Sequence, residues 1–172
     1  MLYLKCTAGV QKDIGLHKSE LLPIAPTDAA LGHWMVNHFA VGSRQAYIFV
    51  SESTLLSFIL LRGKVPMTPL RLQEMLTGGL LQLLQMRGLP ADAMARALDP
   101  YCEYGYAKND NRAAMGCMND MRWRYQSLIE YYGGLAHCDL TEIIFQVNEM
   151  PQRTFGGATS WDVAESKLRT LS

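Results

Sequence analysis

The polar residues whose types and spacing could do chemistry lie between Tyr106 and Asp120. Arg112 and Lys108 could stabilise a phosphate or a carboxylate, because a guanidinium offers a fork of donors and a helix N-terminus adds partial positive charge. Asp120 could then act as a general acid or base toward the bound group. With Asn119, these side chains suit either an anion-binding pocket or a small catalytic cluster acting on a phosphodiester.

A helix that begins near Arg112 must position these residues. At about 100° per residue, the apolar side chains of this stretch fall on one face, which is predicted to enter the core. Its members are Ala114, Met115, Met118, Met121, Tyr125, Leu128, Ile129 and Tyr132. The opposite face is a polar stripe that also contains a large aromatic residue. It consists of Arg112, Gly116, Asn119, Trp123 and Glu130, with Asp120 alongside.

The residues before the helix specify its start. Asp110 or Asn111 can accept hydrogen bonds from the first helical N–H groups and is therefore the predicted N-cap. Inside the helix, Gly116 costs roughly 1 kcal/mol relative to alanine. Its presence indicates that a strand, another helix or a ligand approaches the backbone there.

Other interpretations of the same helix remain open. Asp120 and Arg124 have the i, i+4 spacing of an ordinary surface ion pair. Arg112 and Asn119 could hydrogen-bond the backbone of a neighbouring loop and so stabilise the fold. Trp123, which has an arginine on each side, could stack on bases while the arginines touch phosphate, as in single-strand nucleic-acid binders.

The usual catalytic signatures are absent from the sequence. It contains no Gly-x-Ser-x-Gly, P-loop or Gly-x-Gly-x-x-Gly pattern, which are the commonest sequence signs of a hydrolase, an NTPase or a dinucleotide enzyme. His33 and His38 are five residues apart on a predicted strand and so face opposite sides of a sheet. We therefore predict no metal site and no cofactor. The adjacent His137 and Cys138 are interpreted as structural.

Two hypotheses of function, from different classes, follow from these residues. The first is a non-catalytic binding or regulatory module whose partner, a protein or a nucleic acid, docks on the helix face from 112 to 123. Its predicted ligand-binding residues are Lys108, Asn111, Arg112, Asn119, Asp120 and Trp123. The alternative is a small phosphodiester-acting enzyme, nuclease-like or toxin-like, that uses Lys108, Arg112, Asn119 and Asp120. The first is favoured, because no histidine lies near the motif to activate a nucleophile.

Length and composition favour a single soluble domain over residues 1–172. The chain is 49% hydrophobic and 19% charged, and 16 basic residues balance 16 acidic ones. This balance gives no overall attraction to nucleic acid or anionic lipid, so any such binding needs a local patch. The N-terminus lacks a signal-peptide pattern, which predicts a cytoplasmic location, and no apolar run reaches about 20 residues. The scattered cysteines are predicted to be buried, reduced thiols.

The order of secondary-structure signals predicts an α+β fold. Strand signals concentrate early and helix signals late, so we expect a mainly antiparallel sheet of about four or five strands covered by about five helices. The predicted strands are 2–7, 34–41, 46–51, 55–61 and 102–107, with a hairpin turn at 42–45. The predicted helices are 69–87, 90–98, 112–132, 139–149 and 160–171, the last one capped by Ser160, after a short helical turn near Lys12.

Four stretches of the chain carry a resemblance to a known family. They are the opening Met-Leu-x-Leu-x-Cys-Thr, Gly32-x-Trp34, Ser51-Glu52-x-Thr54-Leu55-Leu56 and Asn111-Arg112-x-x-x-Gly116-x-Met118-Asn119-Asp120. Together they resemble an uncharacterised family of small bacterial proteins, classed as a domain of unknown function, over nearly the whole chain. The resemblance implies a bacterial origin, on a mobile element, and supplies no reaction. Cys117 stands where the family pattern has serine, which argues against a hydroxyl nucleophile at that position.

Overall fold

The computed structural model describes residues 1–169 and, within them, every side chain except that of Arg96. This part of the chain forms five strands and six α-helices, which confirms the predicted α+β class. The strands are β1 (Leu2–Cys6), β2 (Trp34–Val41), β3 (Arg44–Ser51), β4 (Ser57–Leu61) and β5 (Tyr104–Lys108). The helices are α1 (Ala8–Asp13), α2 (Pro69–Arg87), α3 (Ala91–Leu98), α4 (Arg112–Tyr131), α5 (Leu140–Asn148) and α6 (Ser160–Arg169).

A mixed sheet forms the centre of the fold, with the strand order β4-β3-β2-β1-β5. The consecutive strands β2, β3 and β4 form an antiparallel meander, in agreement with the predicted hairpin. β1 runs parallel to both of its neighbours, β2 and β5. Parallel pairing requires long crossover connections, and the chain supplies them in residues 7–33 and in the segment that contains α2 and α3.

The β2–β3 turn is tighter than the predicted four-residue turn at 42–45. It contains two residues, Gly42 and Ser43, and Val41 pairs directly with Arg44. Gly42 has φ +60°. A positive φ at the first central position is typical of the two-residue hairpin turns whose twist matches that of the strands.

β4 begins at Ser57 and not at residue 55, because a polar turn occupies the preceding residues. Leu55 has φ +58°, which is incompatible with a strand. The buried Thr54 hydroxyl donates to Ser51 Oγ at 2.7 Å and accepts from Leu56 N at 3.1 Å. Because these hydrogen bonds hold the turn as far as Leu56, the strand begins only at Ser57.

β5 also begins later than the predicted residue 102. A 3-10 turn at Asp99–Cys102, with a proline in its first positions and a non-helical backbone at Tyr101, follows the end of α3. The strand predicted at 102–107 therefore begins only at Tyr104, and it extends to Lys108.

The helix boundaries follow their capping residues. α2 spans the predicted residues 69–87, with Thr68 Oγ1 accepting from Arg71 N and Gly88 ending the helix at φ +84°. α5 starts after Asp139, whose carboxylate accepts from Thr141 N, as the sequence predicts.

The cap of α6 differs from the prediction. Ser160 is the first residue of the helix, and its hydroxyl donates to Leu55 O at 3.0 Å. Thr159 and Asp162 instead exchange the reciprocal bonds of a capping box, Asp162 N to Thr159 Oγ1 and Thr159 N to Asp162 Oδ2. Residues 170 and 171, the predicted end of this helix, lie outside the described residues.

Helices cover both faces of the sheet, so its strands bury both sets of alternating side chains. One core, which includes Leu4, Trp34 and Phe49, lies between the sheet and α2, α3 and α6. The other, which includes Met35 and Ile48, lies between the sheet and α4 and α5. None of the helices within residues 1–169 combines the length and apolarity needed to cross a membrane.

The prediction that all four cysteines are buried is wrong. Cys6 is enclosed in the first core, where burial raises the pKa of its thiol to about 12. Cys102 is exposed, and Cys117 and Cys138 are partly buried. The sequence around each cysteine does not show whether its strand, turn or helix turns the side chain inward.

Candidate functional site

α4 is anchored by the inner face that its sequence predicts. Its buried side chains are Ala114, Met118, Met121, Tyr125 and Ile129, all within the second core. Met115 and Leu128 are only partly buried, and Tyr132 is exposed because it lies at the helix end. Tyr125 Oη lies 2.8 Å from Ser57 Oγ, and burial raises the pKa of this phenol. This contact ties α4 to the edge strand β4.

Two residues of the predicted motif hold the start of α4 in place. Asn111 is the N-cap, since its side chain accepts from Ala114 N at 3.0 Å, and its amide also donates to Glu52 Oε1 at 3.3 Å. Asp110 is not the cap, because its carboxylate binds Lys5 Nζ at 2.9 Å. These contacts fix the position and direction of the helix relative to β1 and β3.

Lys5 is a buried cation that joins these elements. It is 3% exposed, and its ammonium also lies 2.6 Å from Glu52 Oε2. Burial alone would lower the pKa of Lys5, but the bonds and charges of Glu52 and Asp110 outweigh it and raise the pKa. The Lys5 hydrogen bond lowers the pKa of Asp110 in turn. Lys5 and Asp110 therefore stay charged at neutral pH.

The outer face of α4, defined by Arg112, Gly116, Asn119 and Trp123, is exposed to solvent. Trp123 is 67% exposed. The Arg112 and Asn119 side chains form no hydrogen bond or ion pair with any residue in 1–169, so they do not hold a neighbouring loop as one interpretation suggested. A Cβ added at Gly116 would meet nothing within 4 Å. No strand or helix of the described chain therefore explains this glycine.

A cleft of about 300 Å³ lies beside the outer face, between α4 and the loop at 151–154. Its lining residues, which define the α4–loop cleft, are Cys117, Asp120, Arg124, Pro151, Gln152, Arg153 and Thr154. Cys117 Sγ lies 3.7 Å from Thr154 Oγ1 across it. The loop is held rigidly, because Gln152 N donates to Ala158 O at 3.0 Å and Gln152 O accepts from Gly157 N at 2.9 Å.

Two residues that line this cleft each carry an enclosed side-chain donor without a partner. Gln152 is 7% exposed, and its Nε2 is buried without a hydrogen bond in the described structure. Arg124 Nη1 is buried and unpaired in the same way. The predicted ion pair between Asp120 and Arg124 is not formed, although the spacing on the helix permits it.

The structure thus separates the six predicted ligand-binding residues. Arg112, Asn119 and Trp123 lie on the outer face, Asp120 lines the cleft, Asn111 caps the helix and Lys108 is exposed at the end of β5. The sequence reasoning missed the cleft residues contributed by the loop at 151–154. Nothing in that stretch marks it, because the loop meets α4 only through tertiary packing, about 30 residues further along the chain.

Comparison with known proteins identifies the family but no activity. The chain belongs to a family described as a domain of unknown function (DUF6933), which matches residues 3–161. No curated protein matches it. Among solved structures it is similar to the catalytic core domain of BIV integrase, with 11% sequence identity, a TM-score of 0.49 and coverage of 80% of this chain and 95% of that one. At this identity and TM-score, the similarity says nothing about function.

Proposed function

We propose that the chain is a non-catalytic binding or regulatory module that recognises a protein partner with the outer face of α4. The observation that carries this proposal is Trp123, which is 67% exposed on a helix whose opposite face packs into the second core. Burying such an indole removes on the order of 100 Å² from water, about 2.5 kcal/mol at about 25 cal/mol per Å². Tryptophan and arginine are also the residues that most often dominate binding energy in protein interfaces.

The charges around Trp123 favour a protein over a nucleic acid. The fully exposed charges are of both signs, Lys108 and Arg112 against Asp120 and Glu130, whereas Arg122 and Arg124 beside Trp123 are partly buried. A nucleic-acid surface needs a patch that is predominantly positive, because its affinity depends on neutralising phosphates. A patch of both signs instead suits a protein surface of complementary charges.

Gly116 supplies a second argument. The space above it is open, so a partner can approach the α4 backbone closely between Arg112 and Trp123. A larger residue at this position would favour the helix and would fill that space. Contact with a partner at this point accounts for a glycine that folding does not require.

The enzyme alternative has less support. It requires Lys108, Arg112, Asn119 and Asp120 to converge on one reacting group. Of these four, Asp120 lines the α4–loop cleft, and the other three are not among the residues that line it. An acid without a positioned nucleophile or oxyanion donor is a weak basis for phosphodiester chemistry.

The proposal can be tested by partner capture with matched variants. The full chain, Trp123→Ala and Leu70→Ala are immobilised and exposed to cell extract with and without nuclease, at low and high salt. Leu70 is 63% exposed on α2, away from the outer face of α4, and serves as the control. We expect the full chain to capture a protein whose binding persists after nuclease treatment and at high salt. Leu70→Ala should capture the same protein and Trp123→Ala should not, and the purified protein should bind the full chain again. Retention by Trp123→Ala, or loss on nuclease treatment, contradicts the proposal.

A further inference from the structure

The two unpaired donors of the α4–loop cleft point to something the chain itself does not contain. An unsatisfied buried donor costs about 1–3 kcal/mol, and native structures hold few of them. Gln152 Nε2 and Arg124 Nη1 come from different elements, and both residues line the same cleft. Backbone hydrogen bonds at the N–H and the C=O of Gln152 keep this residue at the wall of the cleft. The two donor atoms have almost no surface open to solvent, so a ligand reaches them only after their side chains rotate.

We propose that the α4–loop cleft binds a small oxyanion, either a phosphate or a carboxylate. Such a group offers several strong acceptor oxygens, which match the unpaired amide of Gln152 and the guanidinium of Arg124. Arg153 and the Thr154 hydroxyl line the same cleft and supply further donors. The volume of about 300 Å³ lies at the small end of ligand pockets, so the ligand is a small molecule.

Asp120 is the opposing charge in the cleft. It is exposed, whereas Arg124 is partly buried, so water screens the carboxylate more than the guanidinium. Two arginines and one carboxylate leave a net positive cleft. The oxyanion therefore pairs with Arg124 and Gln152, while the carboxylate of Asp120 opposes its binding.

Cys117 makes this site measurable. Its thiol lies in the cleft and is partly buried, while Cys102 is exposed elsewhere and Cys6 is enclosed. The rate at which iodoacetamide alkylates Cys117 in the native full chain, followed by peptide mass spectrometry, reports whether the cleft is free. Cys102 is an internal control for general effects of the added salt.

The probes are sodium phosphate and sodium acetate, each compared with sodium chloride at equal ionic strength. Binding slows the alkylation of Cys117 in proportion to the free fraction of sites, about tenfold at about ten times the Kd. Slowing by phosphate alone assigns a phosphate site, and slowing by acetate alone assigns a carboxylate site. Slowing by neither, or equal slowing at Cys102, overturns the proposal.

Two variants test whether the named donors are responsible. Gln152→Met replaces the amide by an apolar group of similar length, and Arg153→Ala removes an exposed side chain whose loss does not endanger folding. Both should melt as cooperatively as the parent and lose most of the protection of Cys117. Protection that persists in both variants contradicts the assignment. This site does not depend on the outer face of α4, so Trp123→Ala should leave the protection unchanged.

Discussion

Single polar residues at the start of α4 differ in whether their side chains are held by the fold or free to bind a partner. Lys5, Asp110 and Asn111 are all polar, and all are engaged in fixing the start of α4. Arg112 and Asn119 are as polar and close in sequence, yet their side chains have no partner in residues 1–169. The sequence motif contained both kinds of residue, and only contacts with distant strands distinguish them.

The Lys5 cluster predicts a defined pH dependence of stability. The pKa of Asp110 is lowered by Lys5, so its contribution is present above the ordinary carboxyl pKa of about 4 and is lost as pH falls through the lowered value. The pKa of Lys5 is raised, so its contribution is present below the ordinary lysine pKa and is lost as pH rises through the raised value.

Lys5→Met should therefore destabilise the protein at neutral pH by about 2–3 kcal/mol, because it leaves Glu52 facing the interior without its cation. Urea unfolding at pH 7 and pH 3 should show a smaller loss on acidification for the variant than for the parent. Equal losses in the two proteins would mean that the Lys5 to Asp110 contact does not contribute to stability.

Two glycines on different helices separate stability from binding. Gly116→Ala should stabilise the fold by about 1 kcal/mol, because the added methyl group favours the helix and meets nothing within 4 Å. Gly78→Ala on α2 should give a similar gain, since the space around Gly78 is also open. Gly79→Ala should destabilise, because its Cβ would collide with the Phe58 ring.

Thermal melting of the three glycine variants measures the stability effects. Gly116→Gln should then weaken partner binding while Gly78→Gln does not. If Gly116→Ala lowers the stability of the purified protein, the α4 backbone at this position contacts something outside the described structure.

At the scale of elements, helices were predicted better than strands. The boundaries of α2, α4 and α5 follow from caps and from a 3.6-residue period, which are local signals. The start of β4 and the direction of β1 depend on hydroxyl contacts and on crossover connections, which no local pattern contains. The α4–loop cleft was missed for the same reason, since one of its walls is an irregular loop.

Neighbouring residues of α4 provide a test of its two faces. Met118 is 0% exposed, so Met118→Asp places an unpaired carboxylate in the second core and should cost more than about 4 kcal/mol. Asn119→Asp adds the same charge one residue later on the exposed face and should change stability by less than about 0.5 kcal/mol. Chemical denaturation of both variants measures the difference. Similar losses would show that α4 is not oriented as described.

At the scale of the whole molecule, charge and architecture limit the kind of partner. Sixteen basic and 16 acidic residues give no overall field, so any recognition of a partner must come from a local surface. The sheet is buried on both faces, and α4 covers one of them while presenting Arg112 and Trp123 outward. Composition predicted the absence of a general attraction to nucleic acid. Which face of α4 is exposed could be determined only from the position of α4 on the sheet.

The central claim is that Trp123 is the energetic centre of a protein-binding face. Its most direct test is the affinity of the purified partner for the parent, Trp123→Ala and Leu70→Ala, measured by calorimetry with melting temperatures recorded for all three. We predict that Trp123→Ala melts with the parent and loses at least about 2 kcal/mol of binding free energy, roughly 30-fold in Kd, while Leu70→Ala binds normally. Equal Kd values for Trp123→Ala and the parent would contradict the account.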